Sequence, residues 1–374
     1  MALLTCDAAV IGGGLVGSAL CYELARRGIS VVLVDRHDPG RATDAGAGIL
    51  SPATSPEEDP DWYRLAREAG DYYPGLAAEL AADGPDDPGY GACGLLSIAR
   101  EAHEEPWFES RVQLAAARAP GIVREVSPDE ARELFPSLGE VWRALHHPAV
   151  ARVDGRQMAA ALLAAAERRG VVRLPAGATG VRANGGRATA VVTTAGEVAC
   201  GALVVAGGAW SPEMGAALGA SLPIEPMKGQ ILHLALPAVA TGEWPIVQPV
   251  LGYYLVPWPD GRVACGGTME AAAGFDHRPT ASGAHELLRE CLRTAPGLAD
   301  ATLLEIRVGL RPVAADGHPV LGPVPGWDNL HVATGHGTDG LLLGPYSAAL
   351  VARSMTGEAL DPAAVPFGAG RFAG

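Results

Sequence analysis

The start of the chain constrains its fold more than any other segment. Asp7-Ala8-Ala9-Val10-Ile11 is a short apolar run that reads as a buried strand. It runs directly into Gly12-Gly13-Gly14-Leu15-Val16-Gly17. Ser18 to Arg27 then has helical periodicity, and Gly28 stops it. Ser30 to Val34 is a second β-branched run, ending at Asp35 and Arg36. In a strand–turn–helix–strand unit each of these glycines has a physical task. Gly12 permits a tight turn, Gly14 lets the backbone approach a pyrophosphate, and Gly17 allows helix and strand to pack closely. The helix N-terminus, at Leu15 and Val16, turns its positive end toward phosphates. Asp35 can accept hydrogen bonds from a ribose diol. A glycine-rich structural turn is the alternative for an isolated motif; in this context the motif predicts a dinucleotide site.

Composition excludes several other classes. The chain has 374 residues, enough for two or three domains and a sizeable core. Lys and Arg number 28 against 42 Asp and Glu, a net charge of −14. No basic cluster larger than Arg26-Arg27 or Arg168-Arg169 is present, so nucleic acid and anionic membrane surfaces are not expected partners. The apolar stretch from Ala8 to Leu20 carries four glycines and is too short to span a bilayer. No basic region precedes it, so it does not read as a signal peptide, and a cytoplasmic location is expected. Six scattered cysteines without a C-x-x-C, and histidines without zinc spacing, predict free thiols and no metal site.

Further along, helices are expected at 62–80, 128–134, 155–170, 286–294 and 341–355. Strands are expected at 95–99, 171–174, 188–194, 203–206, 230–236, 253–257, 263–266, 304–309 and 330–333. Pro259-Asp260-Gly261 reads as a hairpin turn. Segments 243–249 and 271–279 read as loops shaping a pocket. Neither a repeat nor a flexible linker interrupts the chain, so interleaved domains are expected.

With only one dinucleotide fingerprint and no obvious acid–base residue for an NAD-dependent dehydrogenase, later segments decide the cofactor. Four stretches resemble the FAD-dependent amine oxidase family that includes glycine oxidase, D-amino-acid oxidase and sarcosine oxidase. The first is the fingerprint through Asp35. The second is Thr43-Asp44-Ala45-Gly46-Ala47-Gly48-Ile49-Leu50, similar to the small-residue loop that passes the flavin. The third is Leu203 to Ser211, containing Gly207 and Trp210, with Lys228-Gly229-Gln230 after it. The fourth is Gly309-Leu310-Arg311-Pro312 with Asp316-Gly317-His318-Pro319, then His336-Gly337-Thr338-Asp339-Gly340-Leu341. Val181 matches a position where the family places a backbone contact to the adenine.

The resemblance implies an α/β fold (α+β mixed): a Rossmann-like FAD-binding domain interleaved with an antiparallel-sheet substrate domain. The expected division gives 1–84, 150–215 and 305–374 to FAD, and 85–149 and 216–304 to substrate. It also implies that Arg311 binds the substrate carboxylate, for which its guanidinium fork is suited. A structural salt bridge is the alternative for Arg311. Tyr254, which alternation separates from Tyr253, would donate to the same carboxylate; a core aromatic is its alternative. Met269 corresponds to a position near the flavin, with core packing as its alternative. The helix after Gly340 would point its positive end at the reduced flavin. Thr338 and Asp339 also suit helix capping. Glycine oxidase has a basic residue where this chain has Thr338, so glycine itself is in question as substrate. His336, a lone histidine in a glycine loop, reads as structural. No cysteine adjoins Arg311, where sarcosine oxidases carry their flavin-linked thiol, so FAD is expected to be non-covalent.

The resulting expectation is oxidation of the C–N bond of a small amino acid, of the glycine, D-amino-acid or N-substituted glycine type. Hydride passes to the flavin, the imine hydrolyses to an oxo-acid, and O2 is reduced to H2O2. Two alternatives stand beside it: a dehydrogenase using a carrier protein or quinone, and a non-catalytic FAD-binding subunit of a complex. A homo-oligomer is compatible with the sequence.

Overall fold

The computed structural model describes residues 2–219 and 221–372. Its first eight-stranded sheet is centred on Ala2–Ile11. Val31–Val34 and Gly196–Val205 flank that strand in parallel. Val172–Leu174 extends the sheet on one side, and Leu330–Thr334 runs parallel to Gly196–Val205 on the other. Parallel strands are covered on both faces and therefore read as continuous apolar runs; Val31–Val34 is buried throughout. Alternation divides the strands between two cores. Ala8, Val10, Leu33 and Val204 meet the helices Leu15–Arg26, Gly155–Arg168 and Gly340–Met355. Ala9, Ile11, Val32 and Val205 belong to the second core, under an antiparallel extension formed by Ala178–Asn184 and Arg187–Thr193.

Glycine spacing makes the first helix possible. A Cβ on Gly17 would lie 1.8 Å from the Gly12 carbonyl oxygen, and one on Gly12 would lie 2.5 Å from the Ala206 oxygen. Helix, turn and strand are therefore closer than any larger residue allows.

The second eight-stranded sheet runs in the order Thr302–Ala314, Ile224–Ala235, Arg262–Gly266, Tyr254–Pro257, Ile246–Pro249, Leu95–Ala99, Arg143–His147 and Arg124–Val126. It is antiparallel except where Ile246–Pro249 pairs in parallel with Leu95–Ala99. The hairpin at Asp260-Gly261 forms, with Gly261 at a φ of 81°. One face buries Val247, Leu255 and Cys265 against Leu287 and Cys291 of the helix Ala281–Thr294. The other face looks onto the cavity described below.

Several expected elements are longer than the sequence indicates. The helix expected at 62–80 spans Pro60–Asp83, with Asp59 capping it. The strand expected at 304–309 spans Thr302–Ala314, because pairing with Ile224–Ala235 continues along its whole length. The expected domain boundary at 305 thus falls inside a strand. Residues 246–249, expected as loop, form a strand. Pro245 precedes it and Pro249 is its last residue, and tertiary pairing on both sides overrides their local signal.

Candidate active site

One cavity of about 640 Å³ runs from the first sheet to the second. At one end Val34, Asp35, Arg36, Ala176 and Ala178 line it. Val181 is not among its lining residues; it packs against the second core instead, and the wall on that side belongs to Ala176 and Ala178. Gly12, Gly14, Leu15 and Val16 line the next stretch, whereas Gly17 faces the strand and serves only the close packing. The Leu15 N–H donates to Thr43 Oγ1 at 2.9 Å, so two predicted cofactor residues meet each other. The first helix has no side-chain cap and no acid in its first turn, which leaves its positive end to an anion. Asp35 sits 3.3 Å from Arg41 Nη1, and Arg36 pairs with Glu213 at 3.0 Å.

The middle of the cavity is walled by Ala47, Gly48 and Ile49, by Gly207 and Trp210, and by His336 through Leu341. Gly337–Asp339 is a short 3-10 turn leading into the helix Gly340–Met355, again without a side-chain cap. The expected cap by Asp339 is therefore absent. Its side chain accepts instead from Thr338 Oγ1 at 3.3 Å, and burial pushes the carboxyl up to about 6. His336 is buried with Nε2 unpartnered, and burial lowers it to about 4, so it is neutral at pH 7.

Arg311, Tyr254 and Met269 line the far end. Arg311 Nη1 donates to the Thr268 carbonyl at 2.9 Å. Its guanidinium occupies space that glycines leave: a Cβ on Gly229 would lie 2.2 Å from Nη1, and one on Gly267 would lie 3.2 Å from both Arg311 Nη2 and Tyr254 Oη. No carboxylate lies within 4.0 Å of Arg311 among the described residues, so the structural salt bridge is not formed. Burial pushes the Tyr254 hydroxyl up to about 12, with Arg311 beside it acting in the opposite direction. Tyr254 is thus a proton donor at working pH. Tyr253 points the other way and donates to Glu286, as alternation requires. Met269 is 65% exposed at the mouth and so is not a core residue. Trp210 and Phe275 pack against each other nearby, their rings tilted by 39° with centroids 5.6 Å apart.

Behind Arg311 lies a polar layer to which the sequence assigned no role. Lys228 is 1% exposed and lies 3.6 Å from Glu270 and 3.7 Å from Asp276. Gln230, fully buried, donates to Glu270 at 2.7 Å and to Thr280 at 3.0 Å. The layer ties segment 268–280 to the Ile224–Ala235 strand. Gln248 and Gly252 also line the cavity and went unrecognised, because 246–249 did not read as a strand.

A glycine-cradled parallel sheet whose cavity continues onto the face of an antiparallel sheet defines a dinucleotide-dependent oxidoreductase. The glycine cradle and the two uncapped helix ends fit FAD. The sequence matches the DAO family, FAD dependent oxidoreductase, over residues 7–354, and the chain belongs to that family. It is 34% identical over 363 residues to a glycine oxidase of Pseudomonas aeruginosa, covering 95% of this chain and 96% of that one. The crystal structure of iminodiacetate oxidase from Chelativorans sp. BNC1 superimposes with a TM-score of 0.92 at 39% identity, covering 97% and 98% of the two chains. That of glycine oxidase from Geobacillus kaustophilus gives 0.90 at 30% identity, covering 99% and 100%. FAD is accordingly the cofactor, and the protein is an FAD-dependent oxidoreductase. No helix among the described residues is long and apolar enough to cross a membrane.

Proposed function

We propose that the protein oxidises the C–N bond of a small amine bearing a carboxylate, with O2 as electron acceptor. The observation that carries this reading is Arg311: a guanidinium at the cavity end, given room by two glycines and lacking any carboxylate partner among the described residues. A half-buried cation without an anion is unfavourable, and a substrate carboxylate would complete it. Tyr254 Oη donates to the same carboxylate. The Thr268 carbonyl takes one N–H of Nη1 and so orients the guanidinium, leaving its remaining N–H groups for a carboxylate. Together they place the carbon bearing the amine above the small-residue wall of Ala47, Gly48 and Ile49. FAD, when bound there, supplies the two-electron acceptor. The helix end at Gly340 favours negative charge at that wall. Neutral His336 takes no proton, and alignment carries the rate. The net reaction converts amino acid, water and O2 to oxo-acid, ammonia or amine, and H2O2.

The test is to mix the yellow protein anaerobically with glycine, sarcosine, iminodiacetate and D-amino acids. Bleaching by at least one, and recovery of colour with H2O2 on admitting air, is the expected result. Bleaching without recovery in air would indicate a dehydrogenase, and no bleaching by any amine would refute the reading.

A further inference from the structure

We infer that Gln248, held by Arg111, forms a second anion subsite in this cavity and selects amines that carry a second carboxylate. The inference rests on the amine-oxidising reading and names its substrate class. Val247 faces Leu255 in the antiparallel pair, which sets Gln248 opposite Tyr254. Val247 and Leu255 enter the core on one face of the sheet; Gln248 and Tyr254 both line the cavity on the other. Residues directly opposite each other have Cβ atoms about 5 Å apart. Arg311, Tyr254 and Gln248 therefore follow one another along the cavity, with Gln248 one strand spacing beyond Tyr254.

Arg111 reaches this point from the helix Glu105–Arg118, its Nη1 donating to Gln248 Oε1 at 3.1 Å. A guanidinium can only donate, so the contact fixes which end of the amide faces it. The amide nitrogen is left over, and no protein acceptor takes it among the described residues. Arg111 has no carboxylate within 4.0 Å among those residues. Glu105 and Glu109 share its helix, but both are held by Arg143. Burial also keeps the Arg111 guanidinium below the usual arginine range, as expected of a cation without its anion. A cation bound to the amide oxygen strengthens the amide nitrogen as a donor and favours an anion there. A secondary amine with a carboxymethyl group on each side carries one carboxylate for Arg311 and Tyr254 and a second for Gln248.

Two redox-inert ethers serve as probes: diglycolate, with two carboxylates, and methoxyacetate, with one. Their dissociation constants are read from the perturbation of the visible flavin spectrum of the FAD-loaded protein. Diglycolate is expected to bind at least tenfold tighter than methoxyacetate. In Gln248→Leu and in Arg111→Met the ratio should fall below threefold, while Arg111→Lys should retain part of it. Flavin content and circular dichroism establish that each variant is folded, and Gln248→Leu decides alone if Arg111→Met does not fold. Equal constants in the native protein, or a ratio that survives Gln248→Leu, would overturn the subsite. If no amine bleaches the flavin yet the ratio behaves as expected, the amine-oxidising reading falls and the subsite stands.

Discussion

At the scale of single residues, the decisive contrast is between paired and unpaired arginines. Arg143 is surrounded by Glu105, Glu109 and Glu125, and Arg100 by Glu104 and Glu290. Both therefore serve the fold. Arg311 has only a carbonyl and a tyrosine beside it. Arg311→Lys should lower kcat/KM for a carboxylate substrate by a factor of hundreds to thousands, corresponding to roughly 3–5 kcal/mol, because a point charge replaces a planar fork. FAD content should stay native, and an amine without a carboxylate should lose little further. Equal losses on both substrate types would make Arg311 structural. Histidine gives a second prediction at this scale. His331 is buried in the strand Leu330–Thr334 with Nδ1 unpartnered, and burial lowers it to about 4 from its ordinary 6.5. The unfolded chain thus takes up a proton below pH 6.5 that the folded chain refuses until about pH 4. Stability from this site is full above pH 6.5 and is lost as the pH falls, by at most about 3 kcal/mol. Replacing His331 with Leu should flatten the decline of Tm between pH 6.5 and 4. An unchanged slope would show that other groups carry the acid sensitivity.

At the scale of elements, the sequence was legible where local chemistry and tertiary context agree. The turn at Gly12–Gly17 and the hairpin at Gly261 each carry a local signal that the fold keeps. Illegible elements depend on partners far along the chain. Ile246–Pro249 is a strand only because Leu95–Ala99 and Tyr254–Pro257 flank it. With that strand unseen, Gln248 was unseen too. Arg311, Tyr254 and Met269 were found through the family resemblance, since nothing in their spacing brings them together. The close helix–strand approach can be tested by adding one methyl group. Gly17→Ala should destabilise the protein by several kcal/mol and reduce FAD content, since the new Cβ would overlap the Gly12 carbonyl. Gly75 provides the control. It sits exposed in the helix Pro60–Asp83 with nothing within 4 Å of an added Cβ, so Gly75→Ala should stabilise by about 0.5–1 kcal/mol. Urea unfolding of both variants checks the pair, and a Gly17→Ala protein as stable as native would refute the packing argument.

At the scale of the molecule, the two sheets are assembled from interleaved pieces of chain. The first uses strands from residues 2–34, 172–205 and 320–334, and the second from 95–147 and 224–314. Such threading leaves no contiguous half of the chain with all the strands of either sheet. The cavity reinforces the coupling, because its wall includes Asp35 from one half and Arg311 from the other. FAD bound along that wall would meet both, and its binding free energy would then stabilise the whole molecule. A ligand at a hundred times its dissociation constant contributes about 2.7 kcal/mol to the folded state. FAD-loaded protein should therefore unfold in a single thermal transition, followed equally by flavin fluorescence and by circular dichroism. Removing FAD should lower that transition by several °C, and adding FAD back should restore it in proportion to the logarithm of its concentration. Asp35→Ala should need more FAD to reach the same Tm, because the cavity end loses a hydrogen-bond acceptor worth roughly 1–3 kcal/mol. Two separate transitions, with only one responding to FAD, would show that the halves are independent and that the cavity does not join them.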